Sequence, residues 1–337
     1  MSSGVLVRYD DFMVKLDDVR QAQARLRGVA LHTPLLPAPP QPGAPRLFLK
    51  AENLQPVGAF KVRGAYNKIA SLSGEERSRG VISYSSGNHA QGVAYAARAL
   101  GVKAVIVMPR TAPKIKLDAT AGYGAEIVLV GPSSHERKAR AEELAQQHGY
   151  VIVPPYNDEA IIAGQGTIAL EILQDMPDVE LVLSPVGGGG LISGVAAAIK
   201  QLRPEIKVVG VEPELANDAQ LSFRARKMVE LSPEQTSRTA ADGLRTQSVG
   251  EINLAHILQF VDNIVTVSED EILKAMRLLA LNAKLVVEPS GAVTVAAHLF
   301  RLGELPASRK SVAIISGGNV EPQLLSRLLG EAAVSAR

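Results

Sequence analysis

There is no cysteine and no tryptophan in this chain of 337 residues. The first absence removes disulfides, zinc–thiolate centres, iron–sulfur clusters and thiol nucleophiles, and it suits a reducing compartment. Aromatic residues are scarce, with seven Tyr and six Phe, which leaves little for a stacking platform on single-stranded nucleic acid. Charge of one sign is missing too. Lys and Arg number 36 against 34 Asp and Glu, for a formal charge of +2, whereas a nucleic-acid footprint needs a clustered basic surplus. The first twenty residues hold Asp10, Asp11, Asp17 and Asp18 and no long apolar run, which argues against a signal peptide. One charge-free stretch, 181–199, contains Pro185, five Gly and two Ser. It reads as a buried strand running into a small-residue helix, not as a membrane span. The expectation is a soluble, cytoplasmic protein with no nucleic-acid or membrane partner.

What is present is apolar and regular. Hydrophobic residues make up 46% of the chain, enough for a large core, and the length suggests about two domains. Short apolar runs predict strands over 46–50, 81–84, 104–108, 126–130, 151–153, 181–183, 208–211, 264–267 and 311–315. Helical spacing predicts helices over 17–29, 60–72, 88–100, 113–123, 133–148, 161–173, 269–282 and 291–302. Strands alternating with helices in this way argue for parallel sheets covered on both faces. Five prolines between residues 37 and 45 read as an extended surface connection. No linker separates two halves, so the domains are expected to interleave in sequence.

Parallel α/β sheets deliver ligand sites at the carboxyl ends of their strands. Four polar or glycine-rich turns sit in that place: Ser85-Ser86-Gly87-Asn88-His89, Ser184-Pro185-Val186-Gly187-Gly188-Gly189-Gly190-Leu191, Glu212-Pro213-Glu214 and Ser316-Gly317-Gly318-Asn319. They suggest one shared cleft. The tetraglycine run lets backbone approach an anion closely, and the helix start behind it adds N–H donors and a positive dipole end, so a phosphate cradle is expected. A dinucleotide fingerprint needs Gly at relative positions 0, 2 and 5, and from Gly187, Gly188 or Gly189 the spacing fails at Ile192, Ser193 or Leu191. No Gly-Lys-Ser/Thr loop and no Gly-x-Ser-x-Gly elbow occurs. A monophosphate cofactor such as pyridoxal phosphate remains open. It would need a lysine, and composition cannot choose which.

The segment Ala51-Glu52-Asn53-Leu54-Gln55-Pro56-Val57-Gly58-Ala59-Phe60-Lys61-Val62-Arg63-Gly64-Ala65 resembles the lysine loop of the pyridoxal-phosphate β-family, fold type II. More narrowly it is similar to the threonine/serine dehydratase and serine racemase group. The Ser85–His89 turn, the tetraglycine loop, Glu288-Pro289-Ser290-Gly291 and the Ser316–Asn319 turn match in the same order, over about residues 17 to 330. The resemblance implies two open twisted, mostly parallel α/β sheets flanked by helices. A small substrate-side domain of residues 76–156 would be inserted into a large cofactor domain of residues 1–75 and 157–330. A tail of residues 331–337 would follow, with no regulatory domain, and a homodimer is expected.

The roles it implies are these. Lys61 holds the cofactor aldehyde and exchanges protons at Cα, while Phe60 packs on the pyridine ring. Asn88 bonds the ring hydroxyl, and Ser316 faces the ring nitrogen. Gly187, Gly188, Gly189 and Gly190, with Leu191, cradle the phosphate. Ser85, Ser86 and His89 border the substrate carboxylate, and Ser86 is also the proton carrier on the face opposite Lys61. Arg137 matches a carboxylate-side arginine less securely, with a solvated helix charge as its alternative. Glu212, the Ala216 carbonyl and Asp218 match the divalent-cation loop of the racemase-like branch, with hard oxygen donors suited to Mg²⁺, Ca²⁺ or Mn²⁺. The implied activity is loss of water and then ammonia from a hydroxy amino acid, converting L-threonine to 2-oxobutanoate or L-serine to pyruvate. Serine racemase with side dehydratase activity and 3-hydroxyaspartate dehydratase are the alternatives within the group. A non-catalytic binding protein on the same fold is the alternative of a different class.

Overall fold

The structure, a computed structural model, describes residues 13–41, 43–85, 87–112, 114–131 and 133–330. The chain opens with α1 (Leu16–Arg25), β1 (Leu35–Pro37), β2 (Arg46–Lys50), α2 (Lys61–Ser71) and α3 (Gly74–Arg79). Next come β3 (Val81–Tyr84), α4 (Asn88–Ala99), β4 (Ala104–Pro109), α5 (Lys114–Gly122), β5 (Glu126–Val130), α6 (Ser134–His148) and β6 (Val151–Ile152). Then follow α7 (Glu159–Asp175), β7 (Leu181–Pro185), α8 (Gly190–Leu202), β8 (Lys207–Pro213), α9 (Asp218–Ala225), α10 (Pro233–Thr236) and α11 (Glu251–Phe260). The last elements are β9 (Asn263–Val267), α12 (Glu269–Leu278), α13 (Pro289–Phe300), β10 (Lys310–Ile314) and α14 (Pro322–Gly330).

Two sheets result. The larger has the order β1-β2-β10-β7-β8-β9, and the smaller β5-β4-β3-β6. Every pairing is parallel except β1 with β2. In β7 all five residues are buried, as a parallel strand covered on both faces requires. Alternate side chains feed two cores. Val182, Val208, Ile264 and Val312 pack with α7 and α8 on one face, while Leu181, Leu183, Val209 and Ala313 pack with α12 and α13 on the other. The smaller sheet uses only strands between residues 81 and 152. Helix α2 lies against it, since Ala65, Ile69 and Leu72 share a core with Val81, Val93 and Ile106.

Three local differences from the sequence reading have physical causes. The proline-rich stretch begins with the edge strand β1, where Pro37 opposite Phe48 is tolerated because an edge leaves N–H positions unpaired. Helix α7 starts at Glu159, earlier than the apolar periodicity, because Asp158 Oδ1 caps it by accepting from Ala160 N (2.9 Å) and Ile161 N (3.1 Å). Helix α12 ends at Leu278 and continues as one π turn over Leu279–Ala283, closed by Lys284 at φ 61°. Among the described residues, no helix is long and apolar enough to cross a membrane.

Candidate active site

The carboxyl ends of β3, β7, β8 and β10 carry the four turns singled out by sequence. Lys61 opens α2, and Phe60 directly precedes it, its N–H bonded to Ser316 O at 3.1 Å. Lys61 Nζ donates to Pro155 O at 2.8 Å and lies 5.2 Å from the Phe60 ring centre. The neighbour of that acceptor, Tyr156, packs on the glycine loop. A Cβ on Gly188 would overlap its ring at 2.2 Å, and one on Gly190 would come within 3.0 Å of its Cβ. Adjacent residues thus join the lysine amine to the tetraglycine turn. Gly189 takes φ +94°, a left-handed value that favours glycine, and accepts from Ser193 N at 3.0 Å to start α8. The first N–H groups of a helix, here Gly190, Leu191 and Ile192, have no carbonyl partner within it. With Gly187 preceding them at the end of β7, they form a cradle suited to an anion.

Asn88 opens α4 and is held on both sides. Its Nδ2 donates to Glu288 Oε1 (2.6 Å), and its Oδ1 accepts from Asn319 Nδ2 (2.8 Å), which also reaches Val57 O (2.9 Å). Ser316 is buried, its Oγ donating to Ser290 O at 3.3 Å. Ser85 accepts from Gly87 N at 3.4 Å. Ser86 lies outside the described residues, as does the tail 331–337. His89 is buried and its ring Nε2 donates to Val153 O at 3.0 Å. Burial, and then the Lys61 charge, push its pKa down to about 3, so the ring is neutral and brings no positive charge to a carboxylate. Arg137 is on α6 and lines a cavity of about 860 Å³ beside Asn319 and Pro289, with Lys116, Asp242 and Arg245 around it. Across that cavity Lys116 pairs with Asp242.

Two further groups beside the cleft are shifted toward neutrality. Burial lowers the Lys61 pKa to about 8, against an opposing pull from Glu288. Burial, then repulsion from Asp242, raises Glu288 to about 7, although its bond from Asn88 works the other way. Glu288 and Asn319 appear in motifs the sequence reading quoted, but it gave them no individual role. Nothing local marks them, because their partner Asn88 is 200 and 231 residues away in sequence.

A second acidic site forms where β8 meets α9. Glu212 and Asp218 are fully buried. The Glu212 carboxylate accepts from Ala219 N (3.0 Å) and Gln220 N (2.7 Å). Neither Asp218 oxygen has a hydrogen bond of good geometry, although Thr246 and the backbone at Val249 lie close. Burial raises the pKa of both acids, and Asp218 further raises Glu212. Ala216 is buried in the turn between them. Two buried carboxylates, one of them orphaned, are a donor set that a hard cation would satisfy.

Two mostly parallel sheets, a partly buried lysine of lowered pKa and a glycine cradle joined to it suit an enzyme that holds a phosphate-bearing aldehyde cofactor. The chain belongs to the pyridoxal-phosphate dependent enzyme family, whose model matches residues 27–317. It is 44% identical to an L-threonine ammonia-lyase of Thermotoga maritima, covering 96% of this chain and 80% of that protein. It is also 44% identical to an L-threo-3-hydroxyaspartate ammonia-lyase of Saccharomyces cerevisiae, covering 93% of this chain and 95% of that one. A solved structure of maize serine racemase superposes with a TM-score of 0.88 at 36% identity, covering 93% of this chain and 96% of that chain.

Proposed function

We propose that this protein is a pyridoxal-phosphate-dependent ammonia-lyase that removes water and then ammonia from L-threonine or L-serine. The observation that carries this reading is the Lys61 amine, partly buried and held on Pro155, whose neighbour Tyr156 packs on the tetraglycine turn. The threonine lyase relative, matched over 96% of this chain and 80% of its own length, supports the substrate class. The residues fit the cofactor: Lys61 to bond its aldehyde, Phe60 and Asn88 beside the ring, Ser316 toward the ring nitrogen, and Gly187–Gly190 with Leu191 around the phosphate. Bound there, pyridoxal phosphate supplies an electron sink for the pair left when Cα loses its proton. Lys61, whose pKa is near 8, takes that proton at Nζ. The β-hydroxyl departs as water with a proton that balances the one taken from Cα, and the enamine left behind takes up one water to give a 2-oxo acid and ammonia. Ser316 would offer the ring nitrogen an uncharged hydroxyl, which can donate or accept and so would not oblige that nitrogen to carry a proton. Ser85 and Arg137 are assigned to the substrate carboxylate, and Ser86 to the proton on the opposite face. For His89 only its place beside that carboxylate is kept, because its neutral ring already serves Val153.

A panel of L-threonine, L-serine, D-serine and both 3-hydroxyaspartates, followed for oxo acid, ammonia and chirality, tests the reading. L-Threonine should give stoichiometric 2-oxobutanoate and ammonia. Oxo acid from 3-hydroxyaspartate alone, or D-serine from L-serine without deamination, would transfer the assignment to a neighbouring activity of the same family.

Glu212, the Ala216 carbonyl and Asp218 are assigned to a divalent cation, Mg²⁺ first, on the strength of the orphaned Asp218 carboxylate. Millimolar Mg²⁺ should raise Tm of the EDTA-treated protein by several degrees, and Asp218→Asn should remove the response. An equal response in that variant would refute the site. Residues 76–156 are assigned to the small domain on the separate sheet β3–β6. A cytoplasmic homodimer completes the reading. The absence of cysteine supports the compartment. The dimer is supported by two exposed apolar residues, Leu54 (45%) and Val286 (50%), where Asn53, next to Leu54 in sequence, donates to Val286 O at 3.1 Å.

A further inference from the structure

Behind Lys61 lies a cluster of four buried charges that the proposed chemistry does not use. Lys50, Glu52 and Arg63 are at most 1% exposed, and Glu171 is 7% exposed. The Arg63 guanidinium is the hub. Its Nε and Nη2 grip both oxygens of Glu52 at 2.8 Å each, while Nη1 and Nη2 take Glu171 at 2.7 and 2.9 Å. Nη1 also reaches Thr167 Oγ1 (3.1 Å) and Nη2 reaches Leu31 O (3.0 Å). Lys50 Nζ closes the set on Glu171 Oε2 at 2.6 Å. Two cations face two anions, so the cluster is neutral as a unit, and the charge felt by Lys61 comes instead from Glu288. Any influence of the cluster on Lys61 therefore runs through geometry.

The chain path makes that geometry specific. Glu52 stands before the irregular segment that leads into Lys61, and Arg63 stands two residues after it. Two residues along a helix are about 200° apart around its axis, so Lys61 faces the cleft while Arg63 faces α7. The partners Thr167 and Glu171 are one turn apart on α7. Helix α2 touches α7 through bare backbone, since a Cβ on Gly164 would lie 2.7 Å from Arg63 O and from Gly64 Cα. Such contact fixes the separation of the two helices, and Ala65, Ile69 and Leu72 hold the later turns of α2 in the small-sheet core. The forked bonds of Arg63 add the constraint on the first turn, where Lys61 stands.

We propose that Arg63, clamped by Glu52 and Glu171, is a positioning residue that sets the roll of α2 and so aims the Lys61 amine at the cofactor aldehyde. The proposal rests on the reading of Lys61 given above. Its test separates the lysine bond from the rest of cofactor binding. Apo-protein is titrated with pyridoxal 5'-phosphate, which bonds a lysine, and with pyridoxamine 5'-phosphate, which offers the same phosphate and ring but no aldehyde. Arg63→Lys keeps the charge and loses the fork. It should weaken pyridoxal phosphate on the order of tenfold and shift the pH midpoint of its visible lysine-bound band, with pyridoxamine phosphate affinity retained. Parallel weakening of both ligands, or no change in either, would overturn the proposal. If Arg63→Lys does not fold, Thr167→Val removes one bond to the same guanidinium and must show the same selective loss, in smaller degree. Lys61→Ala serves as the control. If it retains the visible band, the assignment of Lys61 fails, and that outcome is distinct from a failure of Arg63.

Discussion

Lys61→Ala is expected to lower kcat for L-threonine deamination by about a thousandfold or more, and to abolish the visible band of lysine-bound cofactor. One side chain is asked to do two jobs, so its loss is not offset elsewhere in the site. The environment prepares it for both. At pH 7 an ordinary lysine is neutral in roughly one molecule in three thousand, whereas a lysine of pKa about 8 is neutral in roughly one in ten. Only the neutral amine attacks an aldehyde or accepts the Cα proton. Capture of pyridoxal phosphate by apo-protein should therefore rise about tenfold per pH unit below pH 8 and level off above it. Stopped-flow absorbance would follow it. A rate still climbing at pH 10 would mean that Lys61 keeps its ordinary pKa and that burial does not activate it. Burial is the larger cause and Glu288 opposes it, so Glu288→Gln should move the break in that profile to lower pH.

Much of this site could be read from the sequence where its parts are contiguous. Strand, four glycines and helix follow one another within 181–199, so the cradle was visible as local chemistry. The strand over 81–84 and the Asn88 helix start were visible for the same reason. Lys61 was not visible in this way. Its distinguishing property is desolvation, which arises only when α2 packs under Pro155, and the resemblance of its surrounding fifteen residues singled it out instead. Glu288 and Asn319 acquire meaning only by meeting Asn88 across the cleft. Helix α3 was overlooked despite its capping box, in which Ser73 Oγ accepts from Glu76 N and Glu76 accepts from Ser73 N. It buries no residue, so it has no apolar stripe to betray it. The arginine cluster was hidden for the opposite reason. Lys50, Glu52, Arg63 and Glu171 look like ordinary surface charges until β2, α2 and α7 close over them.

The glycines inside helices are the sharpest case of a residue whose role sequence alone obscures, and Gly194→Ala should be among the most damaging substitutions in the molecule. Within a helix, Gly costs about 1 kcal/mol relative to Ala, so the bare expectation is that Gly194→Ala in α8 stabilises. The structure reverses the sign. A Cβ on Gly194 would sit 2.2 Å from Ile162 O and 2.5 Å from Gly166 N, both backbone atoms of α7. A flexible side chain could swing away, but a helix backbone cannot. The contact is reciprocal, because a Cβ on Gly166 would lie 2.9 Å from Gly194 O. Relief requires α7 and α8 to separate along a core that includes Ile162, Ile168, Ile192 and Val195. Overpacking of this kind should cost about 3 kcal/mol or more. Denaturant unfolding would measure it, and a loss below about 1 kcal/mol would show that the helices can part cheaply. The consequence reaches the cofactor, because α8 begins at the glycine cradle while α7 holds α2 and Lys61. Pushing α8 from α7 moves the glycine cradle away from the Lys61 amine. Where Gly194→Ala still folds, it should therefore weaken pyridoxamine phosphate and pyridoxal phosphate together, unlike Arg63→Lys, which should affect only the ligand that bonds the lysine.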